Sequence, residues 1–272
     1  MYINKLINKT VLLILFQVLM TSSLIAATED KFNNIKDDVI ESTKKISDFK
    51  AKDAYEMIHS TLKDFQNIYQ QVKNSKNIDD IIDEVTDGLI NISDTYSKVA
   101  EFSVSIAKFR SKHIQKLNDA QGETLLTIQQ LNDKKLILIG KNKELNSELE
   151  YATKEIDKQK IQISLKGNKS IIKSIEAQKL IWLKFNNAQT KLQNKLNSNG
   201  DKFELLLHIL KVNAKVYKEA ANVAMLRKSA KAALQSLTSL SDIQDILNDL
   251  ENSWIEVNDL VAEISNAEFK IE

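Results

Sequence analysis

The chain has 272 residues, 38 Lys and Arg against 37 Asp and Glu, and no cysteine or proline. Without cysteine there is no disulfide scaffold, no thiol nucleophile and no thiolate metal site. A formal net charge of +1 supplies no bulk positive field of the kind that nucleic-acid binding uses.

Residues 1–27 read as a secretory signal peptide. Lys5 and Lys9 form a basic start, Val11 to Met20 is apolar apart from Gln17, and Ser22 to Ala27 is a mostly small-residue stretch before Glu29 and Asp30. The apolar run is about half of the roughly 20 residues that a spanning helix needs. That favours cleavage after Ala26 or Ala27, with Leu24 or Ile25 tolerated at the −3 site, over an uncleaved anchor. No cysteine follows, so the signal is not of the lipoprotein type. The expected product, 28–272, is secreted or periplasmic and has lost the two leader lysines, which leaves a net charge of about −1.

The remainder is read as one elongated all-helical domain. Only five glycines are present, so the usual punctuation of turns is nearly missing. Lys, Glu, Leu, Ile, Ala and Gln, most of them helix formers, dominate. The fold class expected is all-α: an elongated helical bundle with long antiparallel coiled-coil hairpins.

A first amphipathic stretch covers 31–49. A second covers 53–72, with Tyr55, Ile58, Leu62, Phe65 and Val72 at helical spacing, and the polar run Lys73 to Lys76 ends it. Asn77 suits an N-cap, with Asp79 and Asp80 in the first turn of the next helix. That helix runs through Ile82, Val85, Leu89, Ile92, Tyr96, Val99 and Ile106 towards Leu117; Gly88 interrupts the pattern without having to break it.

The segment 122–143 is ambiguous. Leu125, Ile128 and Leu131 fit a helix, the preferred reading. The alternative is a short hairpin pairing Thr124–Ile128 with Leu136–Ile139 around Asn132 and Asp133. The run Leu136, Ile137, Leu138, Ile139 lies between Lys134, Lys135 and Lys141. Such a patch suits a membrane-touching tip with lysines at headgroup level, or a partner contact, but is too short to span a bilayer. Leu125, Ile128, Leu136, Ile137, Leu138 and Ile139 are therefore the candidate contact residues.

From Leu145 to Ile163, and again from Ile171 to Leu196, apolar residues follow heptad steps. Gly167-Asn168 between them reads as a helix stop, so 142–197 is expected to be an antiparallel coiled-coil hairpin. Asn197 to Gly200 is expected to close the second arm, and Asp201 with Glu204 to cap an alanine-rich helix reaching about Gln235. Ser241 with Gln244 makes a second capping box. Leu240, Ile243, Leu247, Leu250, Trp254, Val257, Val261 and Ile264 then form one seam. Trp182 and Trp254 both sit at core positions of their seams, with packing as the expected role. Gln178 and Gln189 form a polar layer able to set register at some cost in stability.

The catalytic inventory is thin. His59, His113 and His208 stand singly in different helices, and no spacing suggests that they converge on a metal. Asp79, Asp80, Asp83, Glu84 and Asp87 are better read as acids that complement a helix N-terminus. No glycine-rich phosphate loop or serine elbow is present. No enzyme activity, catalytic residue, metal or cofactor is expected.

The stretch Ser253-Trp254-Ile255-Glu256-Val257 through Ile264 resembles the tryptophan-containing closing helix of the α-helical pore-forming toxins of the cytolysin A, haemolysin BL and non-haemolytic enterotoxin type. The chain is shorter than most members and lacks a long apolar hairpin, so only an amphipathic tongue, Leu125 to Ile139, would correspond. Membership would imply ring assembly with partner subunits at a membrane. The leading expectation is an exported helical protein that acts by binding a protein or cell-envelope partner, or by self-association through its helices. The toxin component, with a membrane surface as partner, is the alternative. Nucleic acid is not expected.

Overall fold

The computed structural model describes residues 26–46, scattered positions between 56 and 74, and residues 82–225 and 240–270; side chains at 82, 102–109, 223–225 and 240–244 are not described. Apart from Ala26 and Ala27, the leader expected at 1–27 lies outside these residues. So do Asn77, Asp79 and Asp80. Among the described residues every regular element is an α-helix, so the chain is all-α as expected. The continuously described elements are α1 (26–46), α2 (Ile82–Tyr151), α3 (Glu155–Met225) and α4 (Leu240–Ser265), and the described positions between 56 and 74 are helical as well.

The helices are longer than their sequence punctuation predicts. The expected end near Leu117 does not occur, and α2 passes through 122–143 as helix, which rules out the hairpin there. The expected hairpin at 142–197 has its turn in a different place. Gly167-Asn168 lies inside α3, and the chain reverses at Ala152 to Lys154. An interior glycine costs a helix about 1 kcal/mol, little enough for tertiary contacts to offset. Here the Asn168 amide donates to Asn142 Oδ1 at 2.8 Å, tying that position to α2. The true turn has neither Gly nor Pro. Its local signal is the pair of acids Glu155 and Asp157 in the first turn of α3, where they complement the helix dipole. Two backbone N–H groups, of Asp157 and Lys158, close that turn onto the Lys154 carbonyl.

Asn197 to Gly200 is not a helix end either. Asp201 and Glu204 therefore cap nothing, and Glu204 instead faces Arg110 at 3.7 Å.

The chain forms two compact units. The first comprises residues up to Glu41, Lys116–Lys191 and Val261–Glu272; the second comprises Ser42–Gln115 and Leu192–Leu260.

In the first unit, α1 presents Phe32, Ile35 and Val39 at steps of three and four. All three are buried, and Phe32 meets Trp182 and Phe185 of α3 and Phe269 of the C-terminal tail. The Phe32 ring lies 5.3 Å from Trp182 and 4.7 Å from Phe185, the first pair edge to face. After α4 the chain turns, Phe269 enters this cluster 5.5 Å from Phe32, and the Lys36 ammonium donates to the Ala267 carbonyl. Trp182 is completely buried. Gln178 and Gln189, one turn and two turns away on the same face, are buried with it, as the polar-layer reading expects.

In the second unit, Val85, Leu89, Ile92, Tyr96 and Val99 of α2 pack against Leu206, Leu210, Ala214 and Tyr217 of α3 and against Leu247 and Leu250 of α4. Ser93 Oγ donates to the Ala214 carbonyl at 2.8 Å. Small residues at 214, 220 and 221 let the helices approach closely. Burial, with the neighbouring Tyr217, pushes the Tyr96 hydroxyl far above the ordinary phenol range, so it stays neutral.

Trp254 is only half-buried. Ser253 takes the inward position and its hydroxyl donates to Asn199 Oδ1. A buried hydroxyl needs a partner, and Asn199 is the polar group that α3 places opposite it.

Candidate contact surface

Within the first unit α2 and α3 run antiparallel in a fixed register. Gln121 donates to Thr190 Oγ1 at 2.8 Å, Lys179 to Asn132 Oδ1 at 3.0 Å, and Lys135 pairs with Glu176 at 2.8 Å. Asn142 and Asn168 complete the series. As the α2 position rises from 121 through 132 and 135 to 142, its partner falls from 190 through 179 and 176 to 168. These polar pairs edge an apolar contact and decide which turns of the two helices meet.

The inward face of α2 in this unit is Leu117, Ala120, Thr124, Thr127 and Leu131, all buried. The two threonines return their hydroxyls to the carbonyls of Ala120 and Glu123 in their own helix, so they bury no unpaired group. At 100° per residue the opposite face is Gly122, Leu125, Leu126, Gln129, Asp133, Leu136, Ile137 and Gly140. Leu125 and Leu126 are each 50% exposed, Leu136 57% and Ile137 58%. Nothing lies near either glycine on this side.

Of the six expected contact residues, the structure therefore gathers Leu125, Leu136 and Ile137 on one outward face. Ile128, Leu138 and Ile139 are half-buried along its flanks. Leu126 belongs to the face and was not expected. Its signal was available: it is a large apolar residue off the core stripe, which a seam-based reading passes over. The two leucine-rich steps are 11 residues apart, three helical turns, so they lie in line over about 17 Å. Lys134 is exposed beside them, whereas Lys135 is committed to Glu176. The Lys135 hydrogen bond and charge hold the Glu176 carboxyl below the usual carboxylate range.

No family model, curated protein or solved structure matches the chain. The surface must therefore be read from its own chemistry.

His113 is buried in α2, while His59 and His208 are exposed. Among the described residues no three His, Asp or Glu side chains converge on a metal-sized site, and no helix is long and apolar enough to cross a membrane. Asp83 and Glu84 open α2 as exposed first-turn acids. What the site offers chemically is four exposed large apolar side chains with the exposed polar groups of Gln129 and Asp133 between them.

Proposed function

We propose that the protein is an exported, non-enzymatic helical protein that works by binding a protein or cell-envelope partner, with the outward face of α2 as its contact surface. The observation that carries this reading is the set of four large apolar side chains, Leu125, Leu126, Leu136 and Ile137, each at least half exposed in one line. Clustered apolar exposure on a water-facing surface has a cost that a partner removes. Fully covering four such side chains is worth several kcal/mol at about 25 cal/mol per Å².

The test is the double variant Leu126→Asp/Ile137→Asp. Both side chains are at least half exposed, so only about 1 kcal/mol of helix propensity is lost and the melting temperature should stay within about 4 °C of the parent. A photo-crosslinker placed at 126 or 137 in the secreting cell should capture a discrete partner, whereas one at exposed Lys116 should not. Loss of folding in the double variant, or equal labelling at all three positions, would overturn the reading.

A second reading is a component of an α-helical pore-forming toxin. It draws on the same face, with exposed Lys134 and Lys141 at its edge. It requires that the purified protein, alone or with a companion subunit, release dye from liposomes, and that the double variant not do so.

A further inference from the structure

The near-zero net charge conceals two oppositely charged helix faces. Between Lys158 and Lys195 the sequence holds nine lysines and one carboxylate, Glu176. Because α3 runs unbroken through Gly167-Asn168, five of these lysines fall on one face: Lys166, Lys169, Lys173, Lys184 and Lys191, all exposed. Their spacing keeps them within about 40° of Leu180 around the helix. Leu180, 55% exposed, and Leu183, 39% exposed, sit in the middle of the stripe. Glu176 is the one acid there, and Lys135 already neutralises it. Among the described residues none of the five lysines has a carboxylate partner.

The helix α4 is the converse. It holds seven acids and no basic residue. Asp249 and Glu256 are paired with Lys202 at 2.9 Å and Lys195 at 2.5 Å. Asp245, Glu251 and Asp259 are exposed and, among the described residues, unpaired. Ile255, 57% exposed, lies between Glu251 and Asp259. Each face thus has an apolar centre flanked by charges of one sign, and the signs are opposite.

We propose that the two faces bind each other between molecules: the lysine stripe of α3 in one copy docks on the acidic outer face of α4 in a second copy. Ile255 would pack against Leu180 and Leu183, with Glu251 and Asp259 reaching the lysines on either side. An anionic bilayer would satisfy only the basic face and leave Ile255 exposed; a second copy satisfies both faces. A nucleic acid is less suited to the stripe, which has no arginine for bidentate phosphate or base contacts and no exposed aromatic ring for stacking. The contact is heterologous, so each docking event leaves one basic and one acidic face free, and the association either closes or continues. The acidic face from Asp245 to Asp259 is only about 21 Å long. The contact is therefore small and its affinity weak, on the order of 10–100 μM at low ionic strength.

Sedimentation of the full chain at about 100 μM should show self-association in about 0.02 M salt and at least tenfold weaker association in about 0.5 M. Lys169→Glu/Lys173→Glu and Glu251→Lys/Asp259→Lys change exposed residues only. Each variant alone should sediment as a monomer. Mixed one to one, they should associate again, because the unaltered lysine stripe of the α4 variant meets the unaltered acidic face of the α3 variant. If a charge-reversed variant loses helicity, Lys169→Gln/Lys173→Gln and Glu251→Gln/Asp259→Asn replace the pair, and each should weaken association at least threefold. A parent that stays monomeric at low salt overturns the proposal, as does association that survives both substitutions or a mixture that stays monomeric. It is also overturned if the parent is monomeric yet floats with phosphatidylglycerol vesicles in a Lys169- and Lys173-dependent manner, since the occupant is then a lipid surface. Because none of these variants touches Leu126 or Ile137, failure here leaves the α2 contact reading standing.

Discussion

The guanidinium of Arg110 occupies the space that a side chain at Gly200 would fill. From there it donates to the Asn197 carbonyl at 3.3 Å and reaches Glu204 at 3.7 Å. The glycine is present because α2 sends a cation across α3 at that turn. Replacing Gly200 with Ala should gain about 1 kcal/mol of helix propensity and lose a similar amount as Arg110 is displaced, leaving stability within about 1 kcal/mol of the parent. In an Arg110→Ala background the same substitution should stabilise by about 1 kcal/mol. A double-mutant cycle in urea measures this coupling, and additivity of the two changes would disprove it.

Gly122 and Gly140 offer the contrast. Both lie within α2 with open space where a Cβ would stand. Gly122→Ala and Gly140→Ala should each stabilise by about 0.5–1 kcal/mol, through helix propensity and the reduced entropy of the unfolded chain. Thermal denaturation should show a rise of about 2–4 °C per kcal/mol for a chain of this size.

Gln189 is buried beside the Phe32–Trp182–Phe185 cluster, and among the described residues neither its amide nitrogen nor its oxygen has a hydrogen-bond partner. A buried unpaired polar group costs about 1–3 kcal/mol. Gln189→Leu should therefore raise the urea midpoint by the equivalent of about 1–2 kcal/mol without changing the slope. A fall in the midpoint would mean that the amide is satisfied in solution.

The Lys135–Glu176 pair sets a sign for acid sensitivity. Lys135 lowers the folded-state pKa of Glu176, so the unfolded chain binds that proton more readily. The contribution is present above the ordinary carboxylate range and is lost as pH falls through the folded-state value. Glu176→Gln should lower the melting temperature slightly at neutral pH, and the gap to the parent should close in acid. The carboxyl lies on the exposed side of the helix, so the effect is small and should shrink in high salt. A gap that widens in acid would refute the assignment.

Much of the architecture was legible along the chain. The apolar spacing from Val85 to Val99, from Ile175 to Leu196 and from Leu247 to Ile264 reports buried helix faces, because a 3.6-residue period is a local property. Trp182 was readable as core for the same reason. Trp254 was not, because the seam runs equally well through Ser253 and only the position of Asn199 decides which of the two turns inward. The contact face on α2 was half legible: Leu125, Leu136 and Ile137 were found, and Leu126 was missed because its exposure depends on where the partner helices lie.

By itself the sequence determined the all-helical class, the absence of thiol chemistry and the apolar stripes. These follow from composition and short-range periodicity. Only the tertiary structure decided where the helices end. Gly167-Asn168 and Asn197 to Gly200 look like stops in isolation, but each is held in helix by residues on α2, Asn142 in the first case and Arg110 in the second. A glycine's local cost of about 1 kcal/mol is small enough for such contacts to override, which a reading confined to neighbours in sequence has no means to weigh. The same continuity of α3 lines up its lysines and exposes a charged face that the neutral total hides.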